Sequence, residues 1–206
     1  MVPAESTDFR ANSPQRQLDD SFCYCKPWTL HEAQGWTDFS VDLLPGMLLK
    51  PPADTYRVYF DAGISQGDAF VGVVAFDPGG KFHRAVTRRF PNIQDPTLAE
   101  TLALEEAVSL IGDLRLRNTC VIGDALQVVQ MARQDVECPV ICEAPIGRIR
   151  FMLDRNLIAG PFWVPRDQNS VAHVLANFAK SSPLFFNTWD TLPSFLSFVS
   201  GRFPEP

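Results

Sequence analysis

The stretch Tyr56–Phe90, YRVYFDAGISQGDAFVGVVAFDPGGKFHRAVTRRF, decides the fold. It contains three runs rich in β-branched and aromatic residues. Tyr56–Gly63 and Ala69–Phe76 read as strands, and Lys81–Phe90 reads as a third. Asp77-Pro78-Gly79-Gly80 is a turn, because proline presets one backbone angle and the glycines accept the others. Three strands in series with such short connections predict an antiparallel meander.

Working outward toward the C-terminus, Asp95-Pro96 opens a long helix, Thr97 to about Ile111, which stops before Gly112-Asp113. Thr119–Gly123, TCVIG, reads as a short apolar strand, and Ala125–Arg133 as a second helix. Asp135–Pro145 is expected to be irregular and Ile146–Asp154 helical. Ile158–Val164 is a fifth strand interrupted by Pro161. Asn169 or Ser170 caps a helix that runs to about Lys180, and Pro193–Val199 is a short helix candidate in the tail. The order β-β-β-α-β-α-α-β-α predicts an α/β fold with a mixed sheet and helices on its faces, not a doubly wound parallel sheet.

Toward the N-terminus, residues 1–54 carry six prolines, show no sustained periodicity and close on the breaker Pro51-Pro52. The expected organisation is an irregular leader over 1–54, a domain over 55–181 and a tail with a short helix over 182–206. Apolar residues make up 46% of the 206, enough for a core and too many for wholesale disorder. No uncharged stretch is long enough to span a bilayer. The first 20 residues lack the apolar segment of a secretory signal, so the expected location is intracellular, nuclear or cytoplasmic. Five cysteines, Cys23, Cys25, Cys120, Cys138 and Cys142, do not form paired zinc spacings and read as reduced thiols.

The net charge of −6 argues against a protein that coats nucleic acid generically. Its distribution is uneven. Thr55–Lys180 holds 13 basic and 14 acidic residues, whereas the two ends together hold 5 and 10. The acidity thus belongs to the ends.

Three carboxylates stand where a core would not choose them. Asp61 follows Val58 and Phe60 in an apolar strand. Glu100 begins the helical stripe 100, 103, 104, 107, 108, 111, whose other members are Ala, Leu, Ala, Val and Ile. Asp124 follows TCVIG at its C-terminal end, where α/β sheets place functional groups. Each has a structural alternative: Asp61 a surface turn residue, Glu100 a favourable charge in a first helical turn, Asp124 a helix N-cap. Taken together they predict an acidic cluster around a hard divalent cation, Mg²⁺ first, suited to phosphoryl transfer.

Four segments in order, FDAGIS, DPTLAETLALEEAV, VIGDALQVVQ and FWVPRDQNSVAHVLANFA, resemble the ribonuclease H family. The likeness is greatest to the plant ribonuclease H-like domain related to the reverse-transcriptase polyproteins of non-LTR retroelements, and it covers roughly Lys50 to Val199. The resemblance implies a five-stranded mixed sheet, three antiparallel strands then two parallel, and cleavage of the RNA strand of an RNA–DNA hybrid by a two-metal mechanism. The family's acidic positions fall on Asp61, Glu100 and Asp124. Its last acidic position falls on His173, a softer neutral ligand better suited to zinc or manganese than to Mg²⁺; in a first helical turn its imidazolium form is disfavoured. A role for His173 as auxiliary ligand, in proton transfer or as a packing residue stays open. The rival function is a catalytically weak or inactive nucleic-acid-binding protein derived from a retroelement.

The stretch Gln134–Pro145, where many relatives carry a basic protrusion, has no Lys or Arg. Hybrid binding is therefore expected to be modest and salt-sensitive. Arg166, at the active-site end of the last strand, and Asn169 are the candidate nucleic-acid contacts. Hybrid recognition is expected through 2′-hydroxyl and minor-groove shape, by a monomer with no membrane partner.

Overall fold

In the computed structural model the described residues are 54–156 and 158–199. The leader 1–53, with His31, Cys23 and Cys25, lies outside them. The meander forms as read: β1 (Tyr56–Ser65), β2 (Asp68–Phe76) and β3 (Phe82–Phe90) pair antiparallel in chain order. Then follow α1 (Pro96–Leu114), β4 (Thr119–Gly123), α2 (Leu126–Arg133), α3 (Val140–Asn156), β5 (Ala159–Trp163), a 3₁₀ turn (Arg166–Asn169), α4 (Ser170–Ser181), β6 (Phe186–Trp189) and a 3₁₀ turn (Ser194–Val199). The strands lie in the order β5-β4-β1-β2-β3-β6, with β4 and β5 parallel to β1 and β6 antiparallel to β3.

Two expectations are corrected. The sheet has six strands rather than five, because Phe186–Trp189 pairs with Ala85–Arg88 at the edge of β3. The stretch expected to be irregular up to Pro145 is helical from Val140, with Pro145 inside α3. Proline there removes one hydrogen bond to Ile141, only a turn from the helix start. Ile141 is exposed and on no buried face, so the loss is borne at the wet end of the helix.

The sheet separates two layers. Val58 and Phe60 of β1 pack with Val71 and Val73 of β2 and with the α1 stripe Ala103, Leu104, Ala107, Val108 and Ile111, all fully buried. Asp95 caps α1, its Oδ1 accepting from Leu98 N at 2.7 Å. The opposite face receives α4. A Cβ at Gly72 would meet Ala176 N at 2.4 Å and Ala172 O at 2.6 Å, so glycine lets α4 lie directly on β2. Asp61 is the cross-strand partner of Gly72. Directly opposed residues share a face, so Asp61 stands under α4 while its neighbour Phe60 points into the other layer.

Candidate active site

Register alone brings two of the carboxylates together. β1 and β4 run parallel, and their last paired residues are Phe60 and Gly123. The next residues along each strand are Asp61 and Asp124, side by side where the ladder ends. Gly123 is required here. A Cβ on it would meet the Phe60 ring at 2.3 Å, so the aromatic side chain lies across β4 in the space glycine leaves. Glu100 arrives from α1, and His173 from α4.

The structural alternatives for the three acids fail one by one. Asp61 is 1% exposed and is no surface turn residue. The first turn of α1 contains no acidic residue, so Glu100 lies past the part of the helix where the dipole would favour it. The N-cap of α2 is Ala125, with no side-chain cap, so Asp124 does not cap that helix.

The surroundings of each are specific. Asp61 Oδ2 lies 2.8 Å from His173 Nδ1. Asp124 Oδ1 accepts from Asn169 Nδ2 at 2.7 Å, and the same amide donates to Phe60 O at 2.8 Å. Asn169 is 1% exposed. Its amide nitrogen is thus spent inside the protein, tying β1 at Phe60 and the residue after β4 to the turn before α4. Arg166 reaches back over the cluster: one guanidinium nitrogen is 3.9 Å from Asp124 Oδ2 and another is 3.0 Å from His173 Nδ1. Trp163 Nε1 donates to Asp124 O at 3.0 Å and fixes the backbone on the β5 side.

Burial and mutual repulsion push the acids up. Glu100 is raised to about 9, first by burial and then by the charges of Asp61 and Asp124, with the Ala62 backbone amide and Arg166 opposing. Asp61 is raised by burial and by Asp124, against its bond to His173 and the charge of Arg166. Asp61 Oδ1 and Glu100 Oε2 are buried without a hydrogen-bond partner. Hard oxygen donors held at this cost fit a hard divalent cation in their chemistry. As the side chains stand, no three His, Cys, Asp or Glu residues among those described form a group able to enclose a metal ion. Arg166 supplies the positive charge instead.

Most other arginines are engaged elsewhere. Arg84 pairs with Asp190, Arg88 with Glu106, Arg89 with Asp68 and Arg148 with Glu105. Arg150 donates to the carbonyls of Met131 and Ala132 at the end of α2. A cavity of about 570 Å³ lies between the α2–α3 loop and α3, bordered by Gln134, Glu137, Cys138 and Arg150, and none of the site carboxylates lines it. His83 lies edge-on to Tyr56 and away from this chemistry.

Two residues of the site were not expected. Asn177 Nδ2 lies 2.9 Å from His173 Nε2, and Lys180 Nζ donates to Asn177 Oδ1 at 2.8 Å. Their signal was present in the sequence. Positions 173, 177 and 180 form a polar stripe, spaced by four and three, on a helix whose other face is Val171, Ala172, Leu175, Ala176 and Ala179.

A mixed sheet of this order, with helices on both faces, a carboxylate within its first strand and another just past the end of its fourth, is a ribonuclease H-like fold. Residues 59–179 match the family described as reverse transcriptase-like, and the chain belongs to that family. Among solved structures, ribonuclease H1 of the halophilic archaeon Halobacterium salinarum is 22% identical, covering 62% of this chain and 98% of its own, with a TM-score of 0.51. An N-terminal ribonuclease H domain from Mycobacterium tuberculosis is 18% identical, covering 64% and 100%, with a TM-score of 0.54. A ribonuclease H1 isolated from compost, solved in complex with an RNA/DNA hybrid, is 20% identical, covering 61% and 96%, with a TM-score of 0.52. These likenesses establish the fold. Among curated proteins none matches.

Proposed function

We propose that this chain is a metal-dependent endonuclease that hydrolyses the RNA strand of RNA–DNA hybrids. The observation that carries the reading is the gathering of Asp61, Glu100 and Asp124 from three separate elements, where burial first, and then the charges of the two aspartates, push the glutamate up to about 9. Asp61, Glu100 and Asp124 would hold the cations, Mg²⁺ or Mn²⁺. A pair of such ions would supply charge neutralisation and an activated water for displacement at the phosphodiester. Asn169 bridges the Phe60 carbonyl, next to Asp61, and the Asp124 side chain, and so holds the two aspartates in register. Arg166, 67% exposed at its side chain, is free to leave the acids and meet a backbone phosphate. The engagement of Arg84, Arg88, Arg89, Arg148 and Arg150 within the protein supports a weak, salt-sensitive grip. That the similar ribonuclease H1 from compost was solved with an RNA/DNA hybrid bound supports the substrate class. No helix among the described residues is long and apolar enough to cross a membrane. The fuller reading is a monomeric, retroelement-derived plant protein of the nucleus or cytoplasm.

The second reading, a nucleic-acid-binding protein with little catalysis, draws on His173 at the fourth acidic position. Cleavage of a labelled hybrid in Mg²⁺ or Mn²⁺ separates the two. The wild type should cut and Asp124→Asn should not. Cleavage by both, or by neither, removes the nuclease reading. Replacing His173 by Asp tests the fourth position; unchanged activity would show that the histidine is not what limits the rate.

A further inference from the structure

The hydrogen bonds on α4 have a direction, and it can be read from one end. Lys180 is an ammonium with three donors and no acceptor. Its Nζ lies 2.8 Å from Asn177 Oδ1, so that atom is the amide oxygen and accepts. The other end of the amide, Nδ2, must then donate to His173 Nε2 at 2.9 Å. A ring nitrogen that accepts carries no proton, which leaves the proton on Nδ1. Nδ1–H faces Asp61 Oδ2 at 2.8 Å, an atom able to accept it.

Arg166 does not disturb this assignment. Its NH2 nitrogen is 3.0 Å from His173 Nδ1 and 3.3 Å from Nε2. A point almost equally near both nitrogens cannot lie in the ring plane without striking the carbon between them. The guanidinium therefore lies over the ring face, where it uses neither lone pair. Gly63 makes room for the far end of the chain. A Cβ there would meet Lys180 Nζ at 2.7 Å, so the lysine lies across β1 two residues from Asp61.

We propose that His173 is a positioning residue for Asp61 and not a metal ligand, with its donor direction set by Lys180 through Asn177. The chain Lys180→Asn177→His173→Asp61 holds Oδ2 of the aspartate and leaves Oδ1, the buried oxygen without a partner, as the one open to a cation. This rests on the reading of the carboxylates as a cation site. It gives the histidine a task that a carboxylate at the same place could not perform, since an ionised carboxylate has no proton to donate.

The test has two arms. ¹⁵N NMR of the metal-free protein, with His173 assigned by comparison with His173→Asn, reads the tautomer directly. The expected spectrum has a protonated Nδ1 and a bare Nε2, shifting to a tautomer mixture in Asn177→Leu and Lys180→Met. A proton on Nε2 in the wild type, or a tautomer that neither variant disturbs, overturns the directed chain. The second arm measures Mn²⁺ affinity by calorimetry. An asparagine places its amide nitrogen where histidine has Nδ1, so His173→Asn keeps the donor to Asp61 but loses the ring nitrogen as a ligand. His173→Asn should bind Mn²⁺ within about threefold of the wild type, while His173→Ala should weaken it by about 10-fold, the lower range for losing such an outer hydrogen bond. Equal weakening in both variants overturns the positioning role. A wild type that binds no Mn²⁺ overturns the cation-site reading, while the tautomer result still decides the bond to Asp61.

Discussion

Replacing Glu100 by Gln should stabilise the metal-free fold while abolishing catalysis. Glu100 is raised from an ordinary 4.5 to about 9 by burial and by two neighbouring aspartates. A carboxyl so raised must take up a proton on folding at any pH between these values. The unfolded chain loses that proton above 4.5, so the penalty is absent below pH 4.5 and grows as pH rises toward 9. At pH 7 the interval from 4.5 is 2.5 units, which at about 1.4 kcal/mol per unit is a penalty of about 3 kcal/mol. Glutamine is close to isosteric and has no charge to desolvate. Glu100→Gln should therefore gain up to about 3 kcal/mol at pH 7, near 10 °C in Tm for a domain of this size. Urea denaturation in EDTA at pH 4.5, 6 and 7.5 measures it: the two proteins should coincide at the lowest pH and diverge steadily above. Adding Mg²⁺ should stabilise the wild type and close the gap. A variant equal to or less stable than the wild type at pH 7.5 in EDTA would refute the account of Glu100 as a desolvated, mutually repelled carboxylate.

Three further outcomes follow from the geometry. Gly72→Ala places a methyl against the α4 backbone and should cost roughly 3 kcal/mol, read as a lowered urea midpoint with unchanged slope; a shift under about 0.5 kcal/mol would show that α4 moves freely on the sheet. Asn169→Ala leaves Phe60 O and Asp124 Oδ1 without their donor and should cost about 1–3 kcal/mol together with most of the hybrid cleavage; stability kept at wild-type level would contradict its bracing role. Arg166→Ala should tighten Mn²⁺ binding, because it removes the cation that faces Asp124, and should weaken the hybrid, lowering the slope of log affinity against log salt by about one. A salt slope equal to that of the wild type would place the phosphate contact elsewhere.

The sequence carries the site further than it carries the edges of the fold. Asp61, Glu100 and Asp124 are legible because each breaks a local apolar pattern, and such breaks are what burial makes costly. The meander and the α1 stripe are legible from periodicity alone. Pro145 misled because proline reads as a terminator, whereas inside the second turn of α3 it forfeits one hydrogen bond in an exposed segment. β6 was missed because FNTW alternates exposed and half-buried residues over only four positions, too short for a periodic signal; its pairing is set by β3, 100 residues away in the chain. The roles on α4 needed coordinates, since the sense of each hydrogen bond depends on which end of the Asn177 amide meets Lys180.

That late strand has a consequence for handling the protein. β3 is nine residues long, and β6 covers Ala85–Arg88, with Arg89 N donating to Phe185 O at 2.8 Å. A chain cut after Ser181 would keep Asp61, Glu100 and Asp124, yet it would bare a long strand edge as a template for another copy. Such a fragment should aggregate or dimerise through β3, and it would also lose Trp189 and Phe195 from their packing on Phe178 of α4. The four-residue β6 ends the sheet on a strand too short to recruit a neighbour. Deleting it should therefore raise self-association, read as a shift in light scattering at equal protein concentration.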